Sequence, residues 1–205
     1  MGSNPSIFGG RQPPLLVILS GPSGVGKDAV IGRMRDLGLP FHYVVTVTTR
    51  AQRYGEVDGQ DYYFVSLQEF VELRDNGKLL EWAKVYGNYY GVPRDPVRKA
   101  LAEGRDVIAK LDVQGATTVK RLVPMAIGIF LAPPSMEELR NRLKQRKTEQ
   151  GRDFEIRALR AQEEMQALPI FEYIVVNEDL DKAVAQIQAI ISAEKCRVVP
   201  REAEL

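Results

Sequence analysis

The stretch SGPSGVGKDAV, Ser20 to Val30, holds the first residues whose types and spacing suggest chemistry. Gly21, Gly26 and Lys27 fit the phosphate-loop pattern G-x-x-x-x-G-K-[ST], with Pro22, Ser23, Gly24 and Val25 between them. Glycines at 21, 24 and 26 let backbone N–H groups converge on an anion, and a helix that starts there adds its positive end. Lys27 supplies a point charge for the outer phosphates of a nucleotide. The last position should be Ser or Thr, whose hydroxyl reaches magnesium, but here it is Asp28. The competing reading is a plain glycine turn. Such turns are common, whereas this spacing with lysine is much rarer.

A phosphate loop needs a strand before it and a helix after it. PLLVILS, Pro14 to Ser20, is an apolar run that reads as a buried strand. DAVIGRMRDLG carries Ala29, Val30, Met34 and Leu37 at helical spacing, and Gly38 stops it. Further strands are expected in Asp106 to Val113, Ala126 to Pro134 and Tyr173 to Asn177. Helical patterns occupy Pro96–Glu103, Ala116–Leu122, Met136–Arg146, Glu155–Leu168 and Leu180–Ala193. This alternation implies an α/β fold, a parallel sheet flanked by helices. Between about Thr46 and Pro93 the rhythm breaks, and pieces such as DYYFVS and EWAKVYGNYYG suggest an inserted lobe with mixed or antiparallel sheet. RKTEQGRD, Arg146 to Asp153, is polar and interrupts two helical patterns, as a lid tip would.

Composition narrows the function classes. The 205 residues suit one α/β domain with small insertions, and a 44% apolar fraction supports an ordinary core. A net charge of +1 makes no general case for nucleic acid or membrane. With Cys196 and His42 as the sole residues of their kinds, an internal disulfide is impossible and a zinc cluster is not expected. No apolar run reaches membrane-spanning length, and the MGSNPSIFGGRQPP start reads as a loose tail, not a secretory signal. Gly2 with Ser6 also suits a myristoylation pattern, but nothing else favours a membrane. A reduced, cytoplasmic protein is expected.

Three further segments, VTVTTRAQRYGEVDGQDYYFVS, LLEWAKVYGNYYGVP and KLDVQGA, follow SGPSGVGK in order. Together they resemble the guanylate kinase family of phosphate-loop nucleoside monophosphate kinases, from about Leu15 to Ile191. The resemblance implies a P-loop NTPase fold with an inserted mixed α/β GMP-binding lobe and a helical lid. It implies ATP-dependent phosphorylation of GMP, and of dGMP, to GDP in purine nucleotide metabolism, with Mg2+ accompanying ATP. It divides the chain into a core (14–45, 94–137 and 158–195), a GMP-binding lobe (46–93), a lid (138–157) and tails at 1–13 and 196–205. The expected partners are the nucleotides ATP and GMP, with no nucleic acid or membrane, in a monomer or homodimer.

The same resemblance assigns residues. Gly21 to Asp28 take the ATP phosphates, and Arg50, Arg53, Tyr62 and Tyr90 clamp the GMP phosphate. Arginine forks bind phosphate oxygens in pairs, and tyrosine hydroxyls donate without adding charge. Thr46, Glu81 and Asp112 match the guanine contacts; carboxylates suit guanine because its N1–H and amino group are donors. Arg142, Arg146 and Arg157, with Lys27, are the expected catalytic cations on the phosphoryl in transit. Asn177 of VVNEDL falls beside the adenine of ATP. Taken singly, most of these residues also read as solvated surface charges, core tyrosines or strand-end caps.

Three positions depart from the family pattern. Asp28 replaces the loop hydroxyl, Lys110 stands where the family has an acid, and Val92 stands where Ser or Thr helps hold the GMP phosphate. The first two suggest one exchange: the acidic metal-side group has moved to Asp28, directly or through water, with Lys110 balancing its charge. Two other readings stay open at this point. Ribose 1,5-bisphosphate kinase relatives also carry a GKD loop, and guanylate-kinase-like scaffold modules bind peptides instead of nucleotides.

Overall fold

The computed structural model describes residues 12–145, 152–198, 201 and 203, with the side chains of 145 and 152–157 outside that set. The chain opens with β1 (Leu16–Ser20) and, after the loop, α1 (Lys27–Asp36). It continues through β2 (His42–Tyr43), β3 (Thr46–Thr48), β4 (Tyr62–Phe64), α2 (Leu67–Asp75), β5 (Leu79–Val85), β6 (Asn88–Pro93) and α3 (Arg94–Ala102). Then follow β7 (Val107–Lys110), α4 (Val113–Leu122), β8 (Ile127–Ala132), α5 (Met136–Gln145), α6 (Arg152–Met165), β9 (Tyr173–Val176) and α7 (Leu180–Glu194).

The strands form two sheets. A five-stranded parallel sheet has the order β2-β7-β1-β8-β9. A four-stranded mixed sheet has the order β4-β3-β6-β5, with β3 and β4 parallel and the other pairs antiparallel. The second sheet draws its strands from Thr46 to Pro93.

β1 explains the core. All of it is buried, as a central parallel strand covered on both faces must be. Its alternating side chains serve two packing layers. Val17 and Leu19 meet Val30 and Met34 of α1 and Val184 and Ile187 of α7. Leu16 and Ile18 meet Val97 and Leu101 of α3 and Ala116 and Val119 of α4. Burying each such side chain stabilises the fold by roughly 1.5–3 kcal/mol, so the strand that leads into the phosphate loop is among the best-anchored parts of the chain. Among the described residues no helix is long and apolar enough to cross a membrane.

The strand expected over Asp106 to Val113 ends at Lys110, because Asp112 caps α4 by accepting the Gly115 N–H. α4 therefore begins three residues earlier than apolar spacing indicates. α2 was hidden within the tyrosine-rich lobe, although Ser66 and Glu69 form a capping box at its start. β2 has two residues, too few for any periodicity to show. β5 and β6 turn through Tyr86 and Gly87, both at positive φ, as a two-residue type I′ hairpin requires.

The close approach at Gly21 gives a stability test. A Cβ there would lie 2.1 Å from the Leu131 carbonyl oxygen on β8, and the backbone φ is +139°. Sheet backbone cannot move aside as a side chain can, so Gly21→Ala is expected to cost more than about 3 kcal/mol. Gly38, at φ +66° with open space around its Cβ position, is the control. Gly38→Ala should cost only about 1 kcal/mol. Urea unfolding of both variants measures the difference, and equal costs would mean the sheet yields at Gly21.

Candidate active site

The loop glycines have the conformations that an anion cradle needs, with φ of +86° at Gly24 and +102° at Gly26. Gly26 is the N-cap of α1, which starts without a side-chain cap. Lys27 Nζ reaches back across the loop and donates to the carbonyls of Gly21 (2.6 Å) and Pro22 (3.1 Å). Burial pulls its pKa down, while the nearby carboxylates of Glu164, Asp28 and Asp112 draw it back. Val25 is fully buried beneath the turn.

Glu164 of α6 accepts the Ser23 N–H at 2.9 Å, so an acidic oxygen sits where the loop's donors point. Burial pushes its carboxyl up, against the opposing pull of Ser23 and Lys27. The sequence does not single this residue out among the charges of α6. A signal existed in helical phase, since Glu164 follows the fully buried Ala161 by three residues.

Two expected site residues brace the loop from behind. Asn177 Nδ2 donates to the Val25 carbonyl at 2.8 Å, and the side chain is buried. The amide thus ties the residue after β9 to the phosphate loop, and its expected place beside the adenine remains a proposal. Arg142 on α5 pairs with Glu138 and donates to the carbonyls of Asn177 (3.1 Å) and Val25 (3.4 Å). Its guanidinium contacts the loop in this structure and is not among the described groups that line the cleft. Arg146 lies outside the described residues. Arg157 belongs to α6, and its side chain is outside the described set.

On the other side of the cleft, Arg50 forms a forked pair with Glu56, at 2.7 and 3.1 Å, and lies over the Tyr62 ring. The same Glu56 accepts the Arg53 N–H at 2.7 Å. Burial pushes the Glu56 carboxyl up, but these hydrogen bonds hold it below the usual carboxylate range. Tyr62 and Tyr90 meet edge to face with centroids 6.1 Å apart. Arg50, Arg53, Tyr62 and Tyr90 line the same cleft as Ser23, Gly24, Gly26, Lys27 and Asp28. Glu56 sits in the GEVDG segment, but nothing in its spacing reveals that it orients the arginine. Val92 is buried in the core, consistent with its apolar side chain.

Thr46 and Asp112 line this cleft, whereas Glu81 is not among its lining residues and lies beside Asp112 at Gly115. Thr46 Oγ1 and Glu81 Oε2 are buried with no hydrogen-bond partner among the described residues. Asp112 is both a cleft residue and the α4 cap, its Oδ1 accepting the Gly115 N–H at 2.8 Å. Burial, with the nearby Asp112 carboxylate second, pushes the Glu81 carboxyl up to about 8. A Cβ at Gly115 would lie 2.8 Å from Glu81 Oε2 and 3.0 Å from Asp112 Oδ1, so a larger residue there would push on the point where the two acids converge.

Asp28 and Lys110 are joined. Lys110 Nζ lies 2.5 Å from Asp28 Oδ1, with side-chain exposures of 16% for Lys110 and 64% for Asp28. Burial alone would lower the Lys110 pKa, but Asp28 and the Tyr62 hydroxyl raise it overall. β7 ends at Lys110, so Lys110 and Asp112 do not share a strand, yet both line the cleft.

The Glu81 carboxyl couples pH to stability. In the unfolded chain it ionises near 4.5, and in the fold near 8. Its contribution to stability is therefore complete below the lower value and is lost as pH rises through the higher one. Asp112, also raised, acts in the same direction. Glu81→Gln should flatten the fall in stability between about pH 5 and pH 8, by on the order of a few kcal/mol. Chemical denaturation at the two pH values measures it; an unchanged slope would show that Glu81 is ionised in the fold.

A protein-family model described as guanylate kinase matches residues 14–194. A guanylate kinase of Caldanaerobacter subterraneus subsp. tengcongensis is 48% identical over 192 residues, covering 92% of this chain and 91% of that protein. Guanylate kinase 2, chloroplastic/mitochondrial, of Oryza sativa subsp. japonica is 46% identical over 191 residues, covering 92% of this chain and 67% of that protein. The crystal structure of guanylate kinase from Anaplasma phagocytophilum aligns with a TM-score of 0.78 at 34% identity, over 92% of this chain and 89% of that one. A phosphate loop facing an arginine–tyrosine clamp across one cleft is the arrangement such a kinase needs, and the chain belongs to the guanylate kinase family.

Proposed function

We propose that this cleft transfers the terminal phosphoryl of ATP to GMP, giving ADP and GDP, and that dGMP is also an acceptor. The observation that carries the reading is the shared cleft: the loop and Lys27 line one side, Arg50, Arg53, Tyr62 and Tyr90 the other. Two phosphate sites facing each other suit in-line transfer between two phosphates. Lys27, which now bonds the loop's own carbonyls, is the amine for the β- and γ-phosphates. Arg50, already oriented by Glu56, and Arg53 take the GMP phosphate with the two tyrosine hydroxyls.

The unpartnered acceptors at Thr46 and Glu81 favour a base with donors on its edge. Guanine presents such donors to an ionised Glu81 and to Asp112, whereas adenine would leave an acceptor buried and unpaired. Because the Glu81 carboxyl ionises only near 8, guanine binding at neutral pH is coupled to proton release. Arg142, which in this structure donates to the Val25 and Asn177 carbonyls, keeps the role the family resemblance implies on the phosphoryl in transit. Arg146 and Arg157 keep the role the family resemblance implies, neutralising charge over the triphosphate.

Among the described residues no group of three or more His, Cys, Asp or Glu is placed to hold a metal ion. A magnesium ion would therefore arrive on the nucleotide phosphates, and the exposed Asp28 carboxylate fits it as one oxygen ligand, directly or through water. Bound there, the ion would neutralise phosphate charge.

GMP-dependent ADP formation, with GMP, dGMP, AMP and ribose 1,5-bisphosphate as acceptors, tests the reading. GMP should be used in strong preference to AMP and ribose 1,5-bisphosphate, and equal use of AMP would overturn the guanine assignment. Glu81→Gln should lower kcat/KM for GMP by about 10²-fold or more. Asp28→Asn should raise the magnesium concentration needed for half-maximal turnover. Parent-like turnover of Asp28→Asn at limiting magnesium would remove Asp28 from the metal's surroundings.

A further inference from the structure

Lys110 bridges the two halves of the cleft. Its Nζ lies 2.5 Å from Asp28 Oδ1, in the first turn of the helix that follows the phosphate loop. The same Nζ lies 4.5 Å from the centroid of the Tyr62 ring, which belongs to the second sheet. The Arg50 guanidinium lies 5.3 Å from that ring. So Lys110 touches one group on the donor side and one on the acceptor side. Of the cations lining the cleft, Lys27 belongs to the loop, and Arg50 and Arg53 flank Glu56 in the clamp. Among the described residues, Lys110 is the lining cation that contacts both walls.

Position in the fold makes this more than a surface ion pair. Lys110 ends β7, paired with Leu19 of β1, so its Cα is held by the central sheet. Its side chain is mostly buried, in contrast with the exposed carboxylate it meets. An ammonium has three donors and no acceptor, so it can keep Asp28 while gaining a phosphoryl oxygen.

We propose that Lys110 is a catalytic residue of this chain, whose ammonium contacts the phosphoryl group as it passes between ATP and GMP. This rests on the GMP kinase reading above. In that reaction a GMP phosphate oxygen attacks the γ-phosphorus of ATP. The bond from that phosphorus to the β–γ bridging oxygen breaks, and the oxygen keeps the electron pair on ADP. Lys110 stays protonated throughout, and no proton changes hands. It offsets the repulsion between two anionic reactants and the charge spread over the equatorial oxygens. The alternative is that Lys110 serves only as a counter-ion for Asp28.

A double-mutant cycle separates these roles. Lys110→Met should lower kcat by about 10²-fold, with the KM for GMP changed less than about threefold. Lys110→Arg, which keeps the charge, should recover most of the loss. Lys110→Met should cause a similar fall in kcat when added to Asp28→Asn. If its effect disappears in that background, Lys110 serves only Asp28 and the proposal is overturned. A second readout needs neither turnover nor metal. In EDTA, calorimetry with guanosine and adenosine joined by five phosphates should show Lys110→Met binding this bisubstrate analogue at least about tenfold more weakly. GMP alone should bind it as it binds the parent. Equal affinity for the analogue, or equal weakening for both ligands, would overturn the proposal. Thermal melts establish folding, and Lys110→Gln replaces Lys110→Met if the latter does not fold. A parent protein without GMP-dependent turnover would instead refute the kinase reading.

Discussion

The site depends on balancing concentrated charge in a partly buried cleft. A backbone donor of the glycine loop, an arginine and a lysine that line one cleft each have a carboxylate of the chain as partner. Ser23 N–H has Glu164, Arg50 and the Arg53 N–H have Glu56, and Lys110 has Asp28. Unpaired buried charge is expensive, and these pairings meet that cost while holding the donors in fixed directions. Phosphate oxygens offer the same chemistry as these carboxylates with more charge, so in the proposed reading the substrate phosphates take the places these carboxylates now hold.

The base end follows the opposite rule. Thr46 Oγ1 and Glu81 Oε2 are buried without a partner among the described residues, and burial, with the nearby Asp112 second, pushes the Glu81 carboxyl up to about 8. A ligand that brings donors relieves both problems at once. In the proposed reading, selectivity comes from acceptors that the fold leaves unsatisfied, and phosphate affinity from donors that the fold keeps oriented.

Two sheets divide this work, and one short stretch of the first reaches the second. The parallel sheet carries the loop at the end of β1, and the mixed sheet carries Tyr62, Glu81 and Tyr90. From Lys110 to Asp112 the chain leaves the first sheet and enters α4, beside Glu81 of the second. Lys110 reaches the donor wall and Tyr62, while Asp112 caps the helix and faces the base end.

The sequence by itself determined the phosphate loop, the parallel core strands and the inserted lobe, because these rest on local signals. Glycine spacing, apolar runs and their alternation with helical patterns are set by neighbours along the chain. It also placed Asp28 and Lys110 as a linked pair of departures. Only the tertiary structure decided which partner each charged group takes. Glu164 and Ser23 are 141 residues apart, and Asn177 and Val25 are 152 apart, so no local pattern relates them. The structure likewise gave Arg142 and Asn177 to the support of the loop, and let Asp112 act as cap and cleft wall together. A residue's type says which bonds it can make, but packing decides which groups come within reach, and in this cleft every functional assignment depends on that reach.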